Sequence, residues 1–141
     1  STEANNEDER MTEAHPNVAL LSRFDPTNIA GTADILADNF VWHFFNPSLP
    51  ELQGEYVGLT GLQDFFETIQ KFFGGTFKVK PVSITPVGGE LVVVHVKDTM
   101  VLEGTPIEID AVVVWRIVDG KIVEAWDIPA VHHPHPVRSG T

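Results

Sequence analysis

The sequence contains no cysteine among its 141 residues. Disulfide bonds, catalysis by a thiolate and zinc sites built from cysteine are therefore excluded. A chain without cysteine is compatible with a reducing compartment, and we expect a cytoplasmic protein.

Basic residues are also scarce, with nine Lys and Arg against twenty Asp and Glu, for a formal net charge of −11. Nucleic acids and anionic membranes both attract clustered positive charge, so we expect neither as a partner. No apolar run approaches the roughly 18 residues that a membrane-spanning helix needs. The sequence also lacks a glycine-rich phosphate loop, a serine nucleophile elbow and a dinucleotide fingerprint, and we expect no cofactor.

What remains is a chain with 43% hydrophobic residues, long enough for one domain with a substantial core. Residues 1–14 are polar and acidic and predict a disordered tail. Residues 15–131 predict a single folded domain. Residues 132–141 form an extension rich in His and Pro.

Apolar residues recur every three to four positions in three segments, which is typical of helices. We expect short helices over 16–24 and 27–38, separated at Pro26. A third helix starts with Thr60 as its cap and ends at Gly74-Gly75. Its apolar stripe consists of Leu62, Phe65, Phe66, Ile69, Phe72 and Phe73.

The other segments alternate bulky apolar and polar residues, which is typical of strands. We expect strands over 41–46, 55–57, 76–87, 91–102, 105–118 and 121–127. The last four are joined by the turn sequences Gly88-Gly89, Glu103-Gly104 and Asp119-Gly120 and must therefore be antiparallel. The predicted fold class is α+β: a strongly curved antiparallel sheet wraps around three helices as a cone with one internal pocket.

A two-residue turn at Glu103-Gly104 would place Asp98 opposite Ile109 and turn both toward the interior. Asp98 is then the one charged residue on that face. The last hairpin allows two registers. A two-residue turn at Asp119-Gly120 leaves Asp127 outside, whereas a three-residue loop turns Val123, Ala125 and Asp127 inward. We favour the second register, because it leaves the charged pair Glu124 and Arg116 outside.

Two carboxylates in one apolar chamber have a chemical consequence. Burial raises the pKa of both, and mutual repulsion raises one of them further. The ionised carboxylate can then act as a general base and its protonated neighbour as a general acid. The alternative is structural: each aspartate could simply be tied to a backbone amide, a lysine or a water molecule.

Other side chains could complete this chamber. We expect a wall of substrate-binding residues around the two aspartates, supplied by the first strand, the third helix and the meander. This wall consists of Trp42, Phe44, Phe65, Phe66, Ile69, Val96, Met100, Val113 and Trp115. His43 should face away from it. His132, His133 and His135 could bind a metal, but we favour an extension over the sheet and predict no metal site.

The order of elements and the closing segment from Asp119 to Asp127 resemble the nuclear transport factor 2-like superfamily, and within it the SnoaL-type polyketide cyclases. The resemblance covers roughly residues 15–130. It implies that Asp127, on the last strand, acts as the acid–base group.

The chain is also similar to the limonene-epoxide hydrolases of that superfamily. That resemblance implies catalytic roles for Asp127, Asp98 and Asn46. However, Phe44 stands where those enzymes have a tyrosine, and Val96 stands where they have an arginine that bridges two carboxylates.

These observations predict a pocket protein for a small hydrophobic molecule. We expect a cofactor-free acid–base enzyme of the cyclase, isomerase or hydrolase type. The alternative is a non-catalytic module that binds a small ligand or another protein. The apolar strip Val112, Val114, Ile122 and Trp126 on the outer sheet face predicts a homodimer.

Overall fold

A computed structural model describes residues 15–132 and 135–136 of the chain. The predicted tail over 1–14 and His133 lie outside the described residues. The helices are α1 (Pro16–Leu21), a 3₁₀ helix (Ile29–Ile35) and α2 (Gly58–Phe72). The strands are β1 (Leu36–Phe44), β2 (Gly54–Val57), β3 (Lys78–Val87), β4 (Leu91–Leu102), β5 (Thr105–Val118), β6 (Lys121–Pro129) and β7 (His135–Pro136).

Six strands form one open, mixed sheet in the order β2-β1-β6-β5-β4-β3. Strands β3 to β6 are the predicted antiparallel meander. Strand β1 pairs in parallel with β6, which tight turns alone could not reveal because a long connection separates the two. The short β7 pairs with β5, so His135 belongs to an added strand. The predicted α+β class is confirmed, with this one parallel pair making the sheet mixed.

The prediction of a helix over residues 27–38 is wrong both in the type of helix and in its length. It is a 3₁₀ helix over Ile29–Ile35, and the chain is already extended at Leu36. Asn28 caps this turn by accepting a hydrogen bond from the Gly31 amide, and Gly31 is a poor helix former. The first helix likewise ends at Leu21 rather than at residue 24.

Helix α2 covers one face of the sheet, which we call the inner face. Leu62, Phe65 and Ile69 are its buried residues and repeat at helical spacing. The helix begins at Gly58, with no side chain capping it, so the predicted cap at Thr60 is wrong. It ends where predicted, because Gly74 and Gly75 both adopt positive φ.

Hairpin β4–β5 has the predicted register, with Leu102 opposite Thr105 and Asp98 opposite Ile109. Hairpin β5–β6 combines the two alternatives. Its turn is the two-residue Asp119-Gly120 turn, with Val118 opposite Lys121, but the register then shifts by one residue between Arg116 and Ile117.

That bulge turns both Ala125 and Asp127 inward. The predicted inward orientation of Asp127 is therefore confirmed, although the extra residue lies within the strand pair and not in the turn. Ile122, before the bulge, is fully buried rather than on the outer face as predicted.

Candidate active site

Two carboxylates are buried on the inner face. Asp98 on β4 is 8% exposed and Asp127 on β6 is 9% exposed. Neither forms an ion pair with any cation of the described residues, and Asp98 Oδ1 has no hydrogen-bond partner among them. A buried carboxylate without a partner destabilises the folded chain, so the pair is not explained by stability.

The electrostatics of the pair follow from this burial. Desolvation raises the pKa of Asp98 to about 7. Desolvation also raises the pKa of Asp127 well above its ordinary value, and the nearby charge of Asp98 raises it further. Because the two groups interact, they titrate as a pair rather than independently. Near neutral pH such a pair holds both a proton donor and a proton acceptor.

The structure has two adjoining cavities where we expected one pocket. The first, of about 320 Å³, lies between β1, α2 and the far ends of β4 and β5. The second, of about 260 Å³, lies between α1, the middle of β4 and β5, and β3. Asp98, Asp127 and Phe77 line both cavities. The carboxylates therefore stand where the two cavities meet.

The nine predicted wall residues divide between the cavities. Phe44, Phe65, Ile69 and Met100 line the first. Trp42, Phe66, Val96, Val113 and Trp115 line the second. Whether any of them contacts a ligand stays a prediction.

Sequence reasoning missed several wall residues. Phe77 lines both cavities, and Leu21 and Phe24 from the N-terminal segment close the second. Phe77 lies in the irregular segment between α2 and β3, and the distance in sequence between α1 and the sheet hides their contact. These residues fall in the predicted strand over 76–87 and the predicted helix over 16–24, but a periodic pattern does not show which cavity a side chain lines.

Asn46 lies just beyond the end of β1 and lines the first cavity. It is 8% exposed, and its Oδ1 accepts a hydrogen bond from the Ser48 amide at 3.0 Å. Within the described residues its side-chain NH₂ has no acceptor. Asn46 therefore reaches the cavity as a fixed hydrogen-bond donor, because the turn at Ser48 holds the opposite end of its amide.

His43 lies on the outer face, as predicted. Its Nε2 is 2.7 Å from Glu124 Oε2, and its ring stacks on Trp126 with 5.4 Å between ring centroids. Among the described residues, no group of three or more His, Asp or Glu side chains could hold a metal ion. In the same part of the chain, no helix is long and apolar enough to cross a bilayer.

A larger depression of about 930 Å³ lies between residues 25–30 and α2. Its acidic residues are Asp25 and Glu67. Asp25 accepts hydrogen bonds from the Thr27 backbone and hydroxyl groups, which lower its pKa. Both carboxylates of this depression are exposed, and the pKa of Asp25 is lowered rather than raised. The carboxylates with raised pKa values, Asp98 and Asp127, line the two smaller cavities instead.

Comparison with known proteins places this geometry in a family. The model of the SnoaL-like domain matches residues 18–125. Comparison with curated proteins gave no significant match.

Several solved structures are similar. TerC, co-crystallised with polyporic acid, is 23% identical with a TM-score of 0.68, over 80% of this chain and 90% of that one. Bal32a, from a soil-derived mobile gene cassette, is 17% identical with a TM-score of 0.68, over 86% and 91% of the two chains. An NTF2-like protein of unknown function from Burkholderia pseudomallei is 20% identical with a TM-score of 0.65, over 79% and 88%. The nuclear transport factor 2-like fold that the sequence resembles is thereby confirmed.

Proposed function

This chain belongs to the SnoaL-like domain family, and from that premise we propose that it is a cofactor-independent acid–base enzyme. Its substrate is a small, largely apolar carbonyl or polyketide-like compound. The observation that carries this proposal is the position of Asp98 and Asp127 where two apolar cavities meet. Both are buried, and neither has a cationic partner in the part of the chain that the structure describes. The co-crystal of the similar protein TerC with polyporic acid supports a small organic ligand.

The reaction needs only the two carboxyl groups. The ionised member of the pair removes a proton from the carbon next to the substrate carbonyl, and the electrons of the broken C–H bond move toward the carbonyl oxygen. The protonated member donates its proton to that oxygen, which gives an enol. If the enol is conjugated with a carbon–carbon double bond, the first carboxyl group returns its proton to the far carbon of that system while the enol O–H gives its proton back to the second carboxylate, which completes an isomerisation. In a ring closure the enol carbon attacks a second carbonyl instead. The oxygen of that carbonyl takes the proton from the first carboxyl group, and the enol O–H returns its proton to the second. Asn46 positions the substrate through its side-chain NH₂.

Epoxide hydrolysis is less well supported by the same site. Phe44 and Val96 line the cavities at the positions where the similar epoxide hydrolases carry a tyrosine and an arginine. Neither side chain has a polar group that could hold an epoxide oxygen or bridge the carboxylates. We therefore place proton transfer next to a carbonyl ahead of epoxide opening.

A non-catalytic binding protein is the second candidate, and the apolar walls of the two cavities favour it equally. A module that docks proteins with a filled pocket is less consistent with cavities of about 320 and 260 Å³. The enzyme and the binding protein differ in one respect: only the enzyme exchanges a proton with its ligand.

The experiment separates these two candidates without knowledge of the product. A panel of small apolar ketones, diketones and aromatic polyketide fragments is first screened for thermal stabilisation. A ligand at a hundred times its Kd adds about 2.7 kcal/mol, which raises the Tm by about 10 °C in a domain of this size. Each hit is then incubated in D₂O, and deuterium uptake next to the carbonyl is followed by NMR.

We expect catalysed deuterium uptake that the Asp127→Asn variant loses while it still binds the ligand. Ligands that bind tightly but never gain deuterium would contradict the enzyme and favour the binding protein.

We also propose a homodimer, assembled in the cytoplasm through the outer sheet face. The predicted strip changes in membership, because Ile122 is buried inside. On that face Phe45, Val112 and Ile128 are exposed, and Val114 and Trp126 are half-buried. Sedimentation velocity should give a dimer that the Val112→Glu variant converts to a monomer. A wild-type monomer at micromolar concentration would exclude this interface.

A further inference from the structure

Strand β1 runs along both cavities. Side chains at alternate positions of a strand share a face, and here Trp42, Phe44 and Asn46 all point inward. Trp42 lines the second cavity, whereas Phe44 and Asn46 line the first. Residues two apart on a strand are separated by about 6.6 Å, which is the distance along β1 from Trp42 to Phe44. Asn46 lies farther along the chain in the same direction, just beyond the end of the strand.

The carboxylate of β6 lies between Trp42 and Asn46. Strands β1 and β6 pair in parallel, with Phe44 opposite Asp127 and Trp42 opposite Ala125. Asp127 is therefore level with the middle of the Trp42–Asn46 span. A molecule that lies along β1 would pass the carboxylate with one end in each cavity.

The indole N–H of Trp42 is an unused donor. Trp42 is 2% exposed, and its Nε1 has no acceptor among the described residues. Its neighbours are the rings of Phe65, Phe66 and Trp115, with centroids 5.5, 5.6 and 5.4 Å away. An indole nitrogen only donates, and a buried donor without an acceptor lowers stability. The apolar packing of the Trp42 ring thus leaves its buried N–H without a hydrogen-bond acceptor among the described residues.

We propose that the ligand of this site is an elongated, largely aromatic compound that spans both cavities, with an acceptor oxygen bound by the Trp42 indole N–H. Trp42 is then a specificity-determining residue that selects oxygenated ligands over hydrocarbons of the same shape. The inference rests on the proposed function, because the same ligand passes Asp127 at its middle.

Two planar three-ring probes of similar shape test this selection. Flavone carries a carbonyl and a ring oxygen, and 2-phenylnaphthalene carries no oxygen. We expect wild-type protein to bind flavone more tightly. The Trp42→Phe variant, which keeps an aromatic ring but loses the N–H, should bind flavone about 5- to 30-fold more weakly, with little change for 2-phenylnaphthalene.

The matched control is Trp115→Phe, which removes an equal volume from the wall of the same cavity. It should preserve the preference for flavone, and circular dichroism with thermal melting confirms that each variant is folded.

A second measurement follows ligand binding to the wild-type chain by NMR. The sequence contains three tryptophans, so a ¹H–¹⁵N spectrum shows three indole signals, which the two variants assign. Flavone should move the Trp42 indole proton downfield as a hydrogen bond forms, and 2-phenylnaphthalene should not.

Equal binding of the two probes, or a preference that survives in Trp42→Phe, would overturn the inference and leave the proposed reaction standing. Failure of both probes to bind would overturn it as well. A preference lost in Trp42→Phe, together with no deuterium exchange for any ligand, would instead contradict only the proposed reaction.

Discussion

Strands β4 to β6 place acidic residues on both faces of one sheet, and the two sets differ in whether a basic side chain lies beside them. On the outer face, Glu108 Oε1 accepts a hydrogen bond from Lys97 Nζ at 2.8 Å, and Asp110 Oδ1 lies 2.7 Å from His95 Nε2. On the inner face, Asp98 and Asp127 have no cation beside them among the described residues.

The outer pairs are half-exposed, so both water and the partner side chain stabilise each charge. The inner pair is buried, and no cation of the described residues lies beside either carboxylate. Because such carboxylates cost stability, they support the proposal that this site serves a chemical function.

The largest effect that would sharpen this comparison is on proton exchange. Asp127→Asn on the inner face removes the acid–base group and should slow deuterium uptake by the ligand about 10²- to 10⁴-fold. Glu108→Gln, a change of the same size on the outer face, should leave the exchange rate unchanged. Equal rates for the two variants, measured by NMR in D₂O, would break the distinction between the faces.

An aromatic residue of helix α2 that packs against the inner face and an aromatic residue on the outer face should differ almost as strongly in their contribution to stability. Phe65 contacts the rings of Trp42, Phe44 and Tyr56 and is 2% exposed. Phe65→Ala leaves a cavity in the core and should reduce the free energy of unfolding by about 3–5 kcal/mol in urea titrations.

Phe45 on the outer face is 46% exposed. Phe45→Ala, measured at a concentration low enough to keep the chain monomeric, should cost less than about 1 kcal/mol. A large loss there would mean that the outer ring contributes to the core.

The pH dependence of stability gives the third test. Burial raises the pKa of Asp98 from 3.8 to about 7, so folding favours its protonated form. The stability that this group contributes is present below pH 4 and is lost as the pH rises through 7. Asp98→Asn cannot ionise and should therefore be more stable than wild type at pH 8, by up to about 4 kcal/mol.

At pH 4 the gain from Asp98→Asn should vanish. Urea titrations at pH 4, 6 and 8 measure this difference, and an equal gain at all three values would mean that ionisation of Asp98 is not its source.

The smallest effect should come from an outer ion pair. The hydrogen bond and charge of Glu108 raise the pKa of Lys97, so the pair is attractive. Both side chains are about one-third exposed, and water and salt weaken exposed pairs. Lys97→Met should change the Tm only slightly, and the change should disappear in 1 M NaCl. A large loss that persists in salt would place this pair in the same class as the inner carboxylates.

Local patterns predicted most of the fold. The turn sequences Glu103-Gly104 and Asp119-Gly120 set two hairpins with positive φ at both turn residues, because their conformations are decided within four residues. The buried residues of α2 and the glycine pair that ends the helix were also predicted, because helical spacing and the end of a helix are likewise local features. The helix over 27–38 was not, since a few apolar residues at helical spacing do not distinguish an α-helix from a 3₁₀ turn followed by a strand.

The candidate site depends on both levels of structure. The sequence by itself determined that Asp98 faces the interior, because a two-residue turn and the period of a strand fix that register. Only the tertiary structure decided that Asp127 joins it, through a bulge at Arg116–Ile117 that no turn sequence announces. It also decided that β1 lies parallel beside β6 and that two cavities meet at the aspartates. These features arise from contacts between residues far apart in the chain, where packing, rather than local conformational preference, selects the arrangement.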